Sequence, residues 1–134
     1  MASAIHGVNH IACLARNMDE TVQFYDRYLD IKVRRIANDA PGAKHYCLDL
    51  GGDSTLDFFE AQAGTEASER DRIGGLNHLA ITAEPAFILE AERRLEVGCV
   101  PFRVTERVGQ RTIYFSDPNG ITVQLYPATG GSRA

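Results

Sequence analysis

The nine residues 7–15, "GVNHIACLA", return at 75–83 as "GLNHLAITA". Glycine, asparagine, histidine and two alanines occupy identical places, so His10 and His78 lie 68 residues apart at the centres of the two copies. We interpret each copy as a short strand. A duplicated fold would place the two histidines at equivalent positions if the repeat extends beyond this strand.

The repeat does extend, because each copy is followed by a pattern typical of an amphipathic helix. In the first half Asn17 is suited to cap a helix, and apolar residues recur after it at helical spacing. In the second half Pro85 suits a first helical position and Gly98 suits the end of a helix. Three more strands are predicted after each helix, at 31–36, 42–50 and 54–61 and then at 100–104, 109–117 and 120–128.

The chain is therefore predicted to hold two β-α-β-β-β modules in tandem, which is an α+β fold. The modules are residues 4–62 (module one) and 73–128 (module two), joined by the charged segment "GTEASERDRIGG" within a single domain of residues 1–134.

Composition limits the kinds of partner. Of the 134 residues, 44% are hydrophobic and 24% charged, and the formal net charge is −4, which gives no bias towards nucleic acid or an anionic membrane. No targeting segment or apolar span is apparent, so we expect a cytoplasmic protein. Cys13, Cys47 and Cys99 are widely spaced and are interpreted as reduced, mostly packed thiols.

Strand parity assigns side chains to faces. In the strand that closes module one, Thr55, Asp57 and Phe59 point one way while Leu56 and Phe58 point the other. The apolar face belongs under a helix, which leaves the mixed face to line a cleft. The same reasoning puts both histidines of the repeat on the mixed face, together with Gln124 of module two. The two mixed faces converge if the modules curve around a shared cleft.

Three segments carry a resemblance to a known family: "NHIACLARNMDETVQFYDRYLDIKV", "NHLAIT" and "RTIYFSDPNGITVQLYP". With them the chain resembles the vicinal oxygen chelate superfamily, which includes glyoxalase I, the fosfomycin and bleomycin resistance proteins and extradiol dioxygenases. The resemblance implies a U-shaped, cup-like mixed sheet with helices on its outer face and one divalent metal ion inside.

The resemblance also implies a ligand set, which consists of His10, Asp57, His78 and Gln124. The chain departs from the family here, because many members carry glutamate at both closing-strand positions. Two imidazoles and a carboxylate suit Fe(II), Mn(II), Zn(II) or Ni(II), with positions left open for a substrate. Loss of the metal site, as in drug-binding members, is the alternative.

Further candidates lie near the predicted cleft. His45 is a candidate for proton transfer, and with Asp57 and Gln124 it completes the predicted catalytic residues; a surface or hydrogen-bonded histidine is the alternative. Glu60 is interpreted as a solvated strand end. The predicted substrate-binding residues supply guanidinium groups for an anion and rings for an aromatic substrate, with strand-edge or core roles as alternatives: Arg35, Arg103, Phe59, Tyr114 and Tyr126.

The leading hypothesis is a metal-dependent enzyme that binds a small substrate through two adjacent oxygens, for isomerisation, lyase chemistry or ring-opening dioxygenation. A second hypothesis is a metal-free protein that binds an aromatic or antibiotic-like compound, and a third is an inactive structural subunit. In each case we expect a homodimer, with no nucleic-acid or membrane partner, and the cleft lies within one chain or between two.

Overall fold

The described part of the chain repeats one order of elements twice. The computed structural model describes residues 3–37, 44–107 and 109–129. Within them module one contains β1 (His10–Ala15), α1 (Met18–Leu29), β2 (Val33–Ala37), β3 (His45–Asp49) and β4 (Thr55–Glu60). Module two contains β5 (Leu79–Ala83), α2 (Pro85–Val97), β6 (Phe102–Arg107), β7 (Gln110–Ser116) and β8 (Thr122–Pro127). The predicted β-α-β-β-β order is confirmed; residues 42–43 of the predicted third strand lie outside the described residues.

Each module forms its own four-stranded mixed sheet. The strand orders are β1-β4-β3-β2 and β5-β8-β7-β6, and no hydrogen-bonded ladder joins the two sheets in the described residues. In each sheet the opening strand runs parallel to the closing strand, and the other neighbours are antiparallel. The opening histidine strand therefore lies beside the strand that carries Asp57 or Gln124. Neither described helix is long and apolar enough to cross a bilayer.

Helix α1 begins at the predicted cap. Asn17 has extended backbone angles, and its side-chain oxygen accepts a hydrogen bond from the Glu20 backbone N–H at 2.9 Å. This bond satisfies one of the first-turn N–H groups that have no partner inside a helix. The helix ends at Asp30, which adopts the left-handed region with φ 53°. Its buried stripe consists of Met18, Thr21, Tyr25, Tyr28 and Leu29.

Loss of this cap is expected to destabilise the fold. Asn17→Ala removes the acceptor and should lower the free energy of unfolding by about 1 kcal/mol, measured by urea denaturation. Asn17→Asp is the matched control, because aspartate caps as well as asparagine and should stay close to the original stability. Equal losses in both variants would contradict a capping role.

Helix α2 begins at Pro85 and ends at Gly98, as predicted. A methyl group at Gly98 would overlap the ring of Tyr28, so glycine allows α1 to pack closely against the end of α2. Both helices cover one continuous core. From the closing strands this core takes Leu56, Phe58, Val123 and Leu125, each at most 1% exposed, which confirms the predicted apolar face.

The turn between β7 and β8 docks module two onto α1. Asp117, which is 5% exposed, accepts a hydrogen bond from the Tyr25 hydroxyl at 2.8 Å and from the backbone N–H groups of Asn119 and Ile121. The Asn119 side-chain oxygen accepts from the Arg16 backbone N–H at 2.8 Å. Burial raises the pKa of Asp117 despite these donors. The predicted structural role of this turn thus includes holding the two modules together.

Candidate functional site

The two sheets carry equivalent rows of side chains. In module one the row is Arg35, Cys47, Asp57 and Ala12, paired strand by strand. In module two, 67 or 68 residues later, the row is Arg103, Tyr114, Gln124 and Ala80. Residues paired in this way point to the same side of a sheet. We call this side, opposite to the helix-covered side, the inner face of each module.

Three side chains converge on the inner face of module one, and we call them the His–Cys–Asp cluster: His45, Cys47 and Asp57. The Nε2 atom of His45 lies 3.0 Å from Oδ2 of Asp57 and 3.7 Å from Sγ of Cys47. The three residues are 8%, 1% and 4% exposed. Among the described residues they alone form a group of three such side chains whose possible metal-binding atoms lie within 4.8 Å of one another.

Neighbouring side chains fix the orientation of the cluster. The Thr55 hydroxyl donates to Oδ1 of Asp57 at 2.7 Å, and the ring of Phe59 stacks on His45 with 4.0 Å between ring centroids. The Arg35 guanidinium donates to the Cys47 sulfur at 3.6 Å. The donor atoms are therefore held in place by groups on three adjacent strands.

The cluster carries a carboxylate beside a neutral thiol. Burial alone would raise the pKa of Asp57, but hydrogen bonds from Thr55, His45 and Cys47 and the charge of His10 outweigh burial and lower it. Burial, followed by the charge of Asp57, raises the pKa of Cys47. Asp57 is thus ionised at neutral pH while the Cys47 thiol keeps its proton.

The two histidines of the repeat are exposed, and each contacts the asparagine that precedes it in the chain. Nδ1 of His10 lies 2.7 Å from the side-chain oxygen of Asn9, and Nδ1 of His78 lies 2.8 Å from that of Asn77. An amide oxygen only accepts, so in both rings Nδ1 is the donor to the asparagine and this contact does not use Nε2. In a neutral imidazole that donates through Nδ1, Nε2 carries the lone pair that can bind a metal ion.

The inner face of module two is aromatic and cationic. The Tyr114 ring meets His78 edge-on at 5.6 Å, and the guanidinium of Arg103 lies 4.4 Å from the centroid of the same ring. Gln124 beside Tyr114 is 6% exposed, whereas Tyr126 is 40% exposed. A groove of about 420 Å³ runs along Arg103, Tyr114 and Thr122. These groups suit an anionic or aromatic compound.

The ligand set predicted from the sequence is divided between the two inner faces. The structure brings Asp57 together with His45 and adds Cys47, while Gln124 lies in β8 of the other sheet and His78 directly precedes β5. Among the described His, Cys, Asp and Glu residues, no group of three that includes His10 or His78 has its possible metal-binding atoms within 4.8 Å of one another. Two of the predicted substrate-binding residues, Arg35 and Tyr114, lie on the inner faces, in the same rows as Asp57 and Gln124 respectively.

Glu60 has a different role from the solvated strand end predicted for it. Its Oε2 atom accepts a hydrogen bond from the Met18 backbone N–H at 2.8 Å, at the first turn of α1. Its Oε1 atom lies 3.5 Å from Nζ of Lys44. The hydrogen bond from Met18 is the main cause that lowers the pKa of Glu60. The carboxylate supports a helix and is no ligand candidate.

Sequence reasoning missed two contributors. From the sequence alone Cys47 is assigned no role beyond that of a packed thiol, although its strand parity, shared with His45, indicates the inner face. The supporting role of Asn9 and Asn77 was also missed, although the Asn-His pair is identical in both copies of the repeat. A cavity of about 700 Å³ lies elsewhere, under residues 61–68, and none of the predicted ligands lines it.

The two β-α-β-β-β modules, each with polar and aromatic side chains on its inner face, agree with the comparisons with known proteins. The chain belongs to the Glyoxalase/Bleomycin resistance protein/Dioxygenase superfamily, whose family profile matches residues 7–125. It is 28% identical over 131 residues to "Putative ring-cleaving dioxygenase MhqO" of Bacillus subtilis (strain 168), covering 93% of this chain and 41% of MhqO. The chain therefore spans less than half of that relative's length.

Solved structures share the fold. A glyoxalase/bleomycin resistance protein/dioxygenase domain from Frankia sp. EAN1pec superposes with a TM-score of 0.80 at 21% identity, covering 94% of this chain and 100% of that one. A variant of the fosfomycin resistance protein FosX from Listeria monocytogenes, complexed with Mn(II) and 1S,2S-dihydroxypropylphosphonic acid, gives 0.69 at 21% identity over 94% and 95% of the two chains.

Proposed function

We propose that the protein is a metal-dependent enzyme that acts on a small oxygenated substrate at a site to which two subunits contribute. The reaction belongs to the isomerase, lyase or ring-opening dioxygenase classes. One observation supports the proposal: each half of the repeat carries an exposed histidine whose Nδ1 contacts the preceding asparagine, and among the described residues neither histidine belongs to a close group of three possible metal ligands.

Exposed apolar groups on the inner faces support the proposal that a second copy of the chain completes the site. Leu14 of module one and Tyr126 of module two, both on inner faces, are 57% and 40% exposed. Apolar groups beside a polar site favour burial against a partner. In a two-fold dimer, module one of each chain would lie opposite module two of the other, which creates two equivalent sites.

The donor chemistry fits a divalent ion. His10 and Asp57 of one subunit with His78 and Gln124 of its partner are the proposed ligands, and Fe, Mn, Zn and Ni all accept imidazole and oxygen donors. Such an ion, when bound, supplies Lewis-acid stabilisation of negative charge on substrate oxygens. The Mn(II) bound by FosX, a protein of the same fold, supports this choice.

The chain's own residues would bind and orient the substrate. Arg103 and Tyr114 offer charge and ring surface for an anionic or aromatic group, and Arg35 offers the same charge on the other inner face. His45, held by the carboxylate of Asp57, is the proposed proton carrier. The three free cysteines accord with the predicted cytoplasmic location.

Subunit mixing tests this proposal. His10→Ala and His78→Ala each should abolish high-affinity Mn(II) binding, read by the electron paramagnetic resonance of the free ion. A heterodimer of the two variants, isolated through different tags, keeps one intact site and should regain half of the wild-type Mn(II) capacity. The separate variant homodimers, refolded alone, are the matched controls.

Two results would overturn the proposal. A heterodimer that binds no Mn(II) excludes a site shared between subunits, and a wild-type protein that binds no Mn(II), Fe(II), Zn(II) or Ni(II) excludes the metal enzyme. The second result would favour a metal-free binding protein, for which the neutral Gln124 beside Tyr114 and Arg103 is the supporting observation.

A further inference from the structure

The His–Cys–Asp cluster has a geometry that the proposed function does not explain. All three donors come from two adjacent strands of one module: Cys47 and Asp57 are directly paired across β3 and β4, and His45 lies two residues before Cys47 on the same face. Residues at this spacing point the same way from a strand. A site built from them therefore needs no contribution from module two.

The donors converge on a point rather than forming a chain. One atom of His45, Nε2, faces both the Asp57 carboxylate at 3.0 Å and the Cys47 sulfur at 3.7 Å. A catalytic thiol relay would use opposite nitrogens of the ring, one for the sulfur and the other for the carboxylate. The three side chains instead face one another, which is also how the ligands of a common ion are arranged.

The distances suit a small tetrahedral ion. Zinc binds nitrogen and oxygen at about 2.0–2.2 Å and thiolate sulfur at about 2.3 Å, so ligand atoms of a tetrahedral site are separated by about 3.3–3.6 Å. The two separations on His45 Nε2 bracket this range, and shifts of a few tenths of an ångström would complete the geometry. The stacked Phe59 and the Thr55 hydroxyl hold the outer sides of His45 and Asp57, as supporting groups do in metal sites.

The charges select the ion and the fourth ligand. A sulfur, a nitrogen and a carboxylate favour zinc or cobalt over magnesium or calcium, which prefer oxygen alone. A thiolate and a carboxylate together neutralise the charge of a divalent ion. The bound ion would therefore not repel the Arg35 guanidinium, which lies beside the sulfur. The guanidinium marks a place where an anionic fourth ligand would be stabilised.

We infer that His45, Cys47 and Asp57 form a zinc-binding site within module one, with its fourth position open beside Arg35. The site goes beyond the proposed function and shares Asp57 with it. While zinc occupies this site His45 is a ligand, so the proton-carrier role proposed for His45 applies to the protein without zinc.

Cobalt substitution tests the inference, because Co(II) reports thiolate ligation by a near-ultraviolet charge-transfer absorption. Metal-free wild-type protein titrated with Co(II) should develop this absorption to one equivalent per chain, and Zn(II) should abolish it. Cys47→Ser should remove the absorption and weaken Zn(II) binding at least about 100-fold. Cys13→Ser and Cys99→Ser are the matched controls and should retain both.

The test is independent of the proposed function. His10→Ala and His78→Ala should keep the thiolate absorption even where they lose Mn(II), so either proposal can fail without the other. If Cys47→Ser does not fold, X-ray absorption of the zinc-loaded wild type should show one sulfur at about 2.3 Å from zinc. No charge-transfer absorption in the wild type, its survival in Cys47→Ser, or a zinc shell without sulfur would each overturn the inference.

Discussion

Phe58→Ala is expected to lower the free energy of unfolding by about 3–5 kcal/mol, the largest loss that we predict for a single core residue. Phe58 has no exposed surface, and its ring lies 5.7 Å from that of Tyr25 on the helix-covered face of β4. Alanine removes most of the buried side chain and leaves a cavity between the sheet and α1. Urea denaturation monitored by circular dichroism gives the measurement.

Phe59→Ala is the matched control for strand parity. Its ring is half-buried on the inner face, where it stacks on His45, so its removal should cost only about 1 kcal/mol. Both variants should be compared at one protein concentration. A larger loss for Phe59 than for Phe58 would mean that β4 faces the other way, and Asp57 would then point away from the candidate site.

Asp117→Ala is expected to cost about 2–4 kcal/mol, because it removes the acceptor that joins the β7–β8 turn to α1. The Tyr25 hydroxyl and the backbone N–H groups of Asn119 and Ile121 all lose their partner. Asp117→Asn is the control: it keeps an oxygen for the backbone donors and should lose only about 1 kcal/mol. Equal losses of unfolding free energy in the two variants would show that the side-chain oxygen acceptor at position 117 does not stabilise the fold.

The stability difference between the wild type and Asp117→Asn is expected to depend on pH. Because burial raises its folded pKa above the 3.8 of an ordinary aspartate, Asp117 binds its proton more tightly in the fold than in the unfolded chain. Its contribution to stability is complete below pH 3.8 and is lost as pH rises through the raised pKa. Wild-type stability minus that of Asp117→Asn should therefore fall over this range and level off above it. A difference that rises with pH would contradict the raised pKa.

Much of the fold was predictable because it depends on local signals. The Asn17 cap, Pro85 at the start of α2 and Gly98 at its end are each decided by a few neighbouring residues. The faces of β4 and β8 followed from a period of two, since one face had to be buried under a helix. The duplication then transferred each of these assignments from one module to the other.

The candidate site was only partly predictable, because it depends on packing between elements. Parity placed His10 and Asp57 on one inner face, but no local pattern fixes how the inner face of one module lies relative to the other. The cluster of Cys47 with His45 depends on the register of β3 against β4, which sets Cys47 beside Asp57. Without that register a cysteine on a strand is indistinguishable from core filling.

Because the equivalent rows lie on different sheets, the side chains of one row can be engineered without changing those of the other. In the described ranges, the sheet that carries Arg35, Cys47 and Asp57 shares no hydrogen-bonded ladder with the sheet of Tyr114 and Gln124. Donor atoms in one row can thus be exchanged while the opposite row keeps its strand register and its own covering helix. The two halves thus form a scaffold in which the side chains of either inner face can be substituted in turn.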